Sequence, residues 1–180
     1  MENTKQSYYE SLYEIAIAVN SVRDPESVLY SIVENVANAM KAKGCSLMLL
    51  TSDKKLLRHV TDYGLSERYV KKGPVSADKS ISEALEGKPV AVLNAIEDER
   101  IQYQEQAKKE GIASILSIAM MLRGESIGVI RVYTAEPRNF STDDIYFVGA
   151  VANLGAIALE NAKRYDRLQE EYEAFRRRTF

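Results

Sequence analysis

The chain of 180 residues carries 24 Lys and Arg against 26 Asp and Glu, a net charge of −2, with 46% hydrophobic and 28% charged residues. That length holds one domain and an appendage, and the composition excludes collagen-like and wholly disordered chains. The balanced charge lacks the basic footprint of a nucleic-acid binder. A single Cys (Cys45) and a single His (His59) exclude an internal disulfide and a four-ligand Cys/His zinc site.

Residues 1–7 have no apolar stretch of the kind a secretory leader carries. Tyr8, Leu12, Ile15, Val19 and Val22 then recur at steps of four and three, which predicts a first helix with one apolar face. Asp24-Pro25 predicts an N-cap followed by proline at the first helical position, where a missing N–H costs nothing. Leu29, Ile32, Val33, Val36 and Met40 form the apolar face of this second helix, and Gly44 is expected to end it.

From Cys45 the period becomes that of strands, and residues 46–51 and 56–63 flank the polar turn 52–55 as a β-hairpin. Pairing Thr51 with Leu56 sets Met48 opposite His59, and so puts His59 on the other sheet face from Cys45. Beyond Gly73-Pro74, Ser80 and Glu83 have the spacing of a capping box for a short helix that stops at Gly87. Residues 89–93 predict a short strand and 97–109 a helix closed by Gly111. Residues 114–122 and 126–134 predict a second hairpin turning at Arg123-Gly124.

The last helix starts at Ser141, with Asp143 and Asp144 favoured at the positive end of its dipole. No breaker follows, and about 36 residues at ~1.5 Å each make a helix on the order of 54 Å long, wider than a small domain. Residues 145–159 are the most membrane-like segment, but Asn153 interrupts them and they fall short of the ~18–20 apolar residues of a bilayer span. Val151, Leu154, Ala158, Asn161, Tyr165, Leu168, Tyr172 and Phe175 keep a three-four alternation, the seam of a coiled coil that implies a partner helix. Glu171 and Arg176 fall at the g and following e positions that bridge the chains of a parallel dimer, and Asn161 is a polar seam residue able to fix register. The alternative is an exposed helix whose aromatics fold back on the domain.

Two helices, a hairpin, an insertion of short helices, a second hairpin and a long helix describe an α+β domain with one antiparallel sheet. Residues 89–162 resemble the GAF domain. The resemblance is carried by Gly111-Ile112 with Ser114, the Gly124 turn, Ile127-Gly128-Val129 leading the last strand, Phe140 before the final helix, and Ala158-Leu159-Glu160-Asn161-Ala162. Residues 12–50 also look like the family's two opening helices and first strand. Where many members carry a proline in the strand beginning at Ser114, this chain has Ala119.

The resemblance implies a PAS-like central antiparallel sheet with a helical layer formed by the N-terminal helices and the long C-terminal helix. The GAF domain would span residues 1–162, and residues 163–180 would form the protruding end of a signalling and dimerisation helix. It also implies a ligand pocket between one sheet face and the central insertion, offering Tyr63, Tyr69, Ser80, Ile81, Ser82, Asn94, Tyr103 and Ser117. A helix capped at Ser80 would leave the N–H groups of Ile81 and Ser82 free for an anionic or carbonyl group, unless Ser80 only caps the helix.

The chemical subfamilies fit less well. The signature of cyclic-nucleotide binders is present only in fragments such as Asn94 and Asp98-Glu99. The sulfoxide-reducing members use several cysteines, and Cys45 has no resolving partner. Bilin binders need a pocket cysteine, whereas Cys45 opens the first strand and reads as a core residue. A haem binder needs an axial histidine, for which His59 is the only candidate. With no G-x-S-x-G elbow, Walker A loop or His-Glu-x-x-His motif in the chain, neither catalysis nor a metal centre is expected, and no cofactor is assigned. The expected function is a cytoplasmic sensory or regulatory module that binds a small molecule and signals to an effector through a homodimer of its first and last helices. Neither nucleic acid nor membrane is expected as a partner. The alternative is a dimerisation scaffold whose pocket is filled by its own side chains.

Overall fold

The structure is a computed structural model describing residues 2–21, 24–80 and 82–179, with backbone alone at 2, 3, 79, 80, 166, 178 and 179. α1 (Glu2–Val19) buries Tyr8, Ile15 and Val19 as its periodicity predicts, while Val22 lies outside the described residues. α2 (Pro25–Ala39) is capped by Asp24, whose Oδ1 accepts the Ser27 N–H at 2.9 Å. It stops at Met40, before the predicted end, because Lys41 adopts the left-handed conformation, with φ of 49°. Gly44 instead opens the first strand, where a Cβ would stand 2.6 Å from the Tyr63 carbonyl oxygen.

The sheet comprises β1 (Gly44–Leu50), β2 (Leu56–Tyr63), β3 (Val75–Ser76), β4 (Val90–Val92), β5 (Ser114–Leu122) and β6 (Glu125–Thr134). Its order is β3-β2-β1-β6-β5-β4, antiparallel throughout. Met48 pairs with His59 as predicted, but Leu47 pairs with Thr61, leaving Val60 as a bulge. The β5–β6 turn has positive φ at both Arg123 (53°) and Gly124 (85°), as a two-residue hairpin loop requires.

Between the hairpins lie α3 (Glu67–Val70), α4 (Ala77–Ser80), α5 (Ser82–Leu85) and α6 (Gln104–Glu110). Two local expectations fail here. Ser80 is the last residue of α4 and not an N-cap, because the turn starts earlier, where the Ala77 N–H bonds the Lys55 carbonyl; the short helix expected before Gly87 is α5, from Ser82. The predicted helix over 97–109 contracts to α6, since the Asp98 carboxylate takes the Arg100 N–H at 2.9 Å and its guanidinium at 2.7 Å. A side chain that bonds its neighbouring backbone in this way competes with helix.

α7 (Thr142–Thr179) runs for 38 residues, about 57 Å. Ser141 and Asp144 cap it reciprocally: Ser141 Oγ accepts the Asp144 N–H at 3.2 Å, and Asp144 Oδ2 accepts the Ser141 N–H at 2.9 Å. By length and composition the helix contains a stretch apolar enough to cross a membrane. Here Phe147, Val148, Val151, Ala152, Ala156 and Leu159 are buried in the core, which accounts for that hydrophobicity.

Strand alternation divides the interior in two. Cys45, Leu47, Leu116, Ile118, Met120, Ile130 and Val132 face α1, α2 and α7, whereas Met48, Leu57, Ile115, Val129 and Tyr133 face the insertion. At Gly128 the strands approach so closely that a Cβ would lie 2.3 Å from the Met48 carbonyl oxygen and 2.6 Å from Met120 Cε. Gly128→Ala is therefore expected to cost about 2 kcal/mol through forced strand separation, read as a lower urea midpoint. An unchanged midpoint would contradict this packing.

Candidate functional site

On the insertion face, one row of paired residues crosses four strands: Asp62 of β2, Ser46 of β1, Arg131 of β6 and Ser117 of β5. The rows beside it are apolar across β1, β6 and β5, with Met48, Val129 and Ala119 on one side, ending at His59 on β2, and Tyr133, Ile115 and Val92 on the other. A charged residue at the centre of such a face is costly to bury unless it is paired. Arg131 is 3% exposed, and its Nε and Nη2 atoms meet no hydrogen-bond partner among the described residues.

The groups around it are mostly engaged elsewhere. Ser46 Oγ lies 2.8 Å from Tyr133 Oη, and the Tyr69 ring stands edge-on to Tyr133 at 5.8 Å. Asp62 is paired with His59 at 2.9 Å. The Val60 bulge allows that contact, because in a regular strand residues three apart point to opposite faces. Glu110 accepts the Ser66 N–H at 2.8 Å and also the Ser66 hydroxyl. Lys72 Nζ sits 3.8 Å over the Tyr69 ring and donates to the Tyr69 carbonyl at 3.1 Å.

Burial lowers the pKa values of both Lys72 and His59, and it raises those of Tyr69 and Tyr133. For Lys72 repulsion from Arg131 adds to burial, against attraction from Asp62 and Glu110, and the ammonium is pulled down to about 8 from 10.5. The unfolded chain therefore binds the Lys72 proton more tightly than the folded one. Stability rises with pH across that interval, and the gain is absent below it. The unfolding midpoint of wild type should climb relative to Lys72→Met between about pH 8 and pH 10.5. Parallel midpoints would contradict it; Cys45 and the tyrosines shift both proteins alike.

The residues offered by the family resemblance are only partly brought together. Tyr69 and Ser117 are buried on the insertion face beside Arg131, and Tyr103 closes the rim by donating its hydroxyl to the Pro74 carbonyl at 2.9 Å. Tyr63 lies on the opposite face, packed against Tyr30 at 6.2 Å, because the Val60 bulge reverses the alternation of β2. Asn94 is exposed beyond the end of β4, its Oδ1 accepting the Ile96 N–H at 3.3 Å. Ser82 is exposed at the start of the four-residue α5. Ile81 and the Ser80 side chain lie outside the described residues. Arg131 was not among the expected residues, although a lone charge inside the run Gly128-Val129-Ile130-Arg131-Val132-Tyr133 marks it in the sequence.

Cys45 is fully buried beneath the helices, and burial, with the Asp62 charge a smaller contribution, pushes its thiol far up. His59 lies across the sheet from it, as the hairpin register predicts. Among the described residues no cluster of three or more His, Cys, Asp or Glu is placed to hold a metal ion.

A single antiparallel sheet with long helices on one face and a short-helix insertion over the other defines the architecture of a sensory domain family. A profile of the GAF domain matches residues 22–160, and the chain belongs to that family. Over 159 residues it is 29% identical to the methyl sulfide methyltransferase-associated sensor of Methanosarcina acetivorans, which covers 84% of this chain and 16% of that protein. The chain thus spans only a small part of that relative's length. The GAF domain of a phosphoenolpyruvate-protein phosphotransferase from Coxiella burnetii superposes with a TM-score of 0.79 at 19% identity, over 91% of this chain and 98% of that one. The free methionine-R-sulfoxide reductase of Neisseria meningitidis, solved with its substrate, gives 0.72 at 16% identity over 88% and 91%. Likeness at those identities concerns the fold.

Proposed function

We propose that this chain is a cytoplasmic sensory module that takes a small molecule between its sheet and its insertion. It reports occupancy through a homodimer of α1 and α7. The observation that carries the reading is the apolar seam of α7, where Tyr165, Leu168, Tyr172 and Phe175 are each about two-thirds exposed at heptad spacing. Tyr9, Tyr13 and Ile17 add an exposed stripe at four-residue spacing along α1, and Tyr146 does the same near the base of α7. Contiguous apolar surface of this kind is covered in a working assembly. The relative from Methanosarcina acetivorans, a sensor by name, supports the same reading.

A sensing role is favoured over catalysis because the one thiol is buried, protonated and without a second cysteine, whereas sulfoxide reduction proceeds through an exposed thiolate and a resolving thiol. The second reading, a dimerisation scaffold, draws support from the Tyr69–Tyr133 contact and the Ser46–Tyr133 hydrogen bond, which fill part of the insertion face from within. Native mass spectrometry of the purified chain separates the two. A dimer with a defined extra mass is expected, a dimer at bare polypeptide mass favours the scaffold, and a bare monomer contradicts both.

A further inference from the structure

We infer that the molecule sensed is an anion, whose carboxylate or phosphoryl oxygens are received by the Arg131 guanidinium between Ser46 and Ser117. The inference rests on the sensory reading above and gives it a ligand class. A guanidinium stays charged at every accessible pH, so Arg131 cannot relieve its burial by losing a proton. The carboxylates that act electrostatically on this region are already engaged, Asp62 with His59 and Glu110 with Ser66. No ion pair involves Arg131 among the described residues, and Lys72 adds a second positive charge nearby.

The two unpartnered atoms, Nε and Nη2, belong to the same edge of the guanidinium. That edge presents two parallel N–H donors, the arrangement that grips two oxygens of one carboxylate or phosphate. Ser46 and Ser117, paired with Arg131 on its two flanking strands, set a hydroxyl on either side of it. The apolar rows beyond them exclude water and strengthen such a contact. A cationic ligand would add to the repulsion between Arg131 and Lys72, and a neutral one would leave Arg131 without an ion pair.

The test follows the thermal unfolding of wild type, Arg131→Met and Arg131→Lys during titration with inorganic phosphate, acetate and succinate. Acetamide and succinamide serve as neutral controls. At least one anion is expected to raise the wild-type midpoint saturably while the amides do not, and whether phosphate or a carboxylate does so identifies the source of the oxyanion. Arg131→Met should bind that anion about a hundredfold more weakly, the scale of losing a buried charge-assisted pair, and Arg131→Lys should retain part of the affinity. Without ligand, Arg131→Met should unfold at or above the wild-type midpoint, because an apolar chain replaces an unpaired cation. If Arg131→Met does not fold, Arg131→Gln carries the same argument.

An equal anion response in wild type and Arg131→Met overturns the assignment to Arg131. A copurified mass retained equally by both proteins, or equal responses to acids and amides, overturns the anion inference while the sensory reading stands. No retained mass and no response to any probe overturns both.

Discussion

Asp144→Ala is expected to remove about 3 kcal/mol of folding stability, although Asp144 lies far from the insertion face. Its carboxylate is 4% exposed and accepts the Tyr8 hydroxyl at 2.5 Å, the Arg138 guanidinium at 2.9 Å and the Ser141 N–H at 2.9 Å. Arg138 in turn reaches the Met40 carbonyl at 2.6 Å, and the Tyr8 ring stacks on Phe147 at 4.2 Å. One carboxylate therefore ties α1, the end of α2 and the start of α7 together. Removing it leaves the buried Tyr8 hydroxyl without its acceptor and the half-buried Arg138 guanidinium without its counter-charge, and opens the α7 cap. Asp144→Asn should lose less, because the amide oxygen still accepts the cap bond.

Burial alone would raise the Asp144 pKa, but the hydrogen bonds from Tyr8, the Ser141 N–H and Arg138, with the Arg138 charge, bring it below its usual value of 3.8. The same contact and burial push the Tyr8 hydroxyl up to about 12, burial contributing most. A carboxylate with a lowered folded pKa contributes stability that is fully present above 3.8 and is lost as pH falls through the folded value. Urea denaturation of wild type and variant from neutral pH into the acid range should show the two converging. A loss under about 1 kcal/mol at neutral pH, or parallel acid limbs, would contradict this role.

Leu168→Glu with Tyr172→Glu is expected to weaken the dimer about a thousandfold, roughly 4 kcal/mol. Both side chains are about two-thirds exposed in the single chain, and at successive d and a positions they meet their copies in a parallel pair. Carboxylates there lose the apolar contact and place like charges opposite one another. The isolated domain should keep its unfolding midpoint, since neither residue belongs to the core. Sedimentation equilibrium reads the change, and a dimer that persists would put the interface elsewhere.

The sequence was most legible where a local rule decides the structure. The Asp24 cap, the Arg123-Gly124 turn, the Ser141 cap and the Met48–His59 register each depend on a few adjacent residues, and each forms as read. Long-range contacts decided the failures. Lys41 ends α2 because the chain must turn into β1, where Gly44 is needed under the Tyr63 carbonyl. The single extra residue at Val60 moved Tyr63 to the helix side and put Asp62 where it meets His59, and no local signal announces a bulge there. Arg131 is the opposite case: its place in an apolar strand is plain in the sequence, but only the sheet register shows that it lies between two serines, its Nε and Nη2 meeting no partner among the described residues.

The measurement that bears most directly on coupling between pocket and helix pair is a spin-label distance across α7. Cys45 is buried and its thiol is held protonated, so a cysteine introduced as Glu170→Cys, at an outward f position of the seam, takes the label selectively. Pulsed electron resonance is recorded without and with saturating amounts of whichever of phosphate, acetate or succinate raises the unfolding midpoint most. A dimer distance is expected in both samples, with a shift of the distribution when the anion binds, as a two-state helix pair requires. Coincident distributions, with binding confirmed in the same samples, would contradict it.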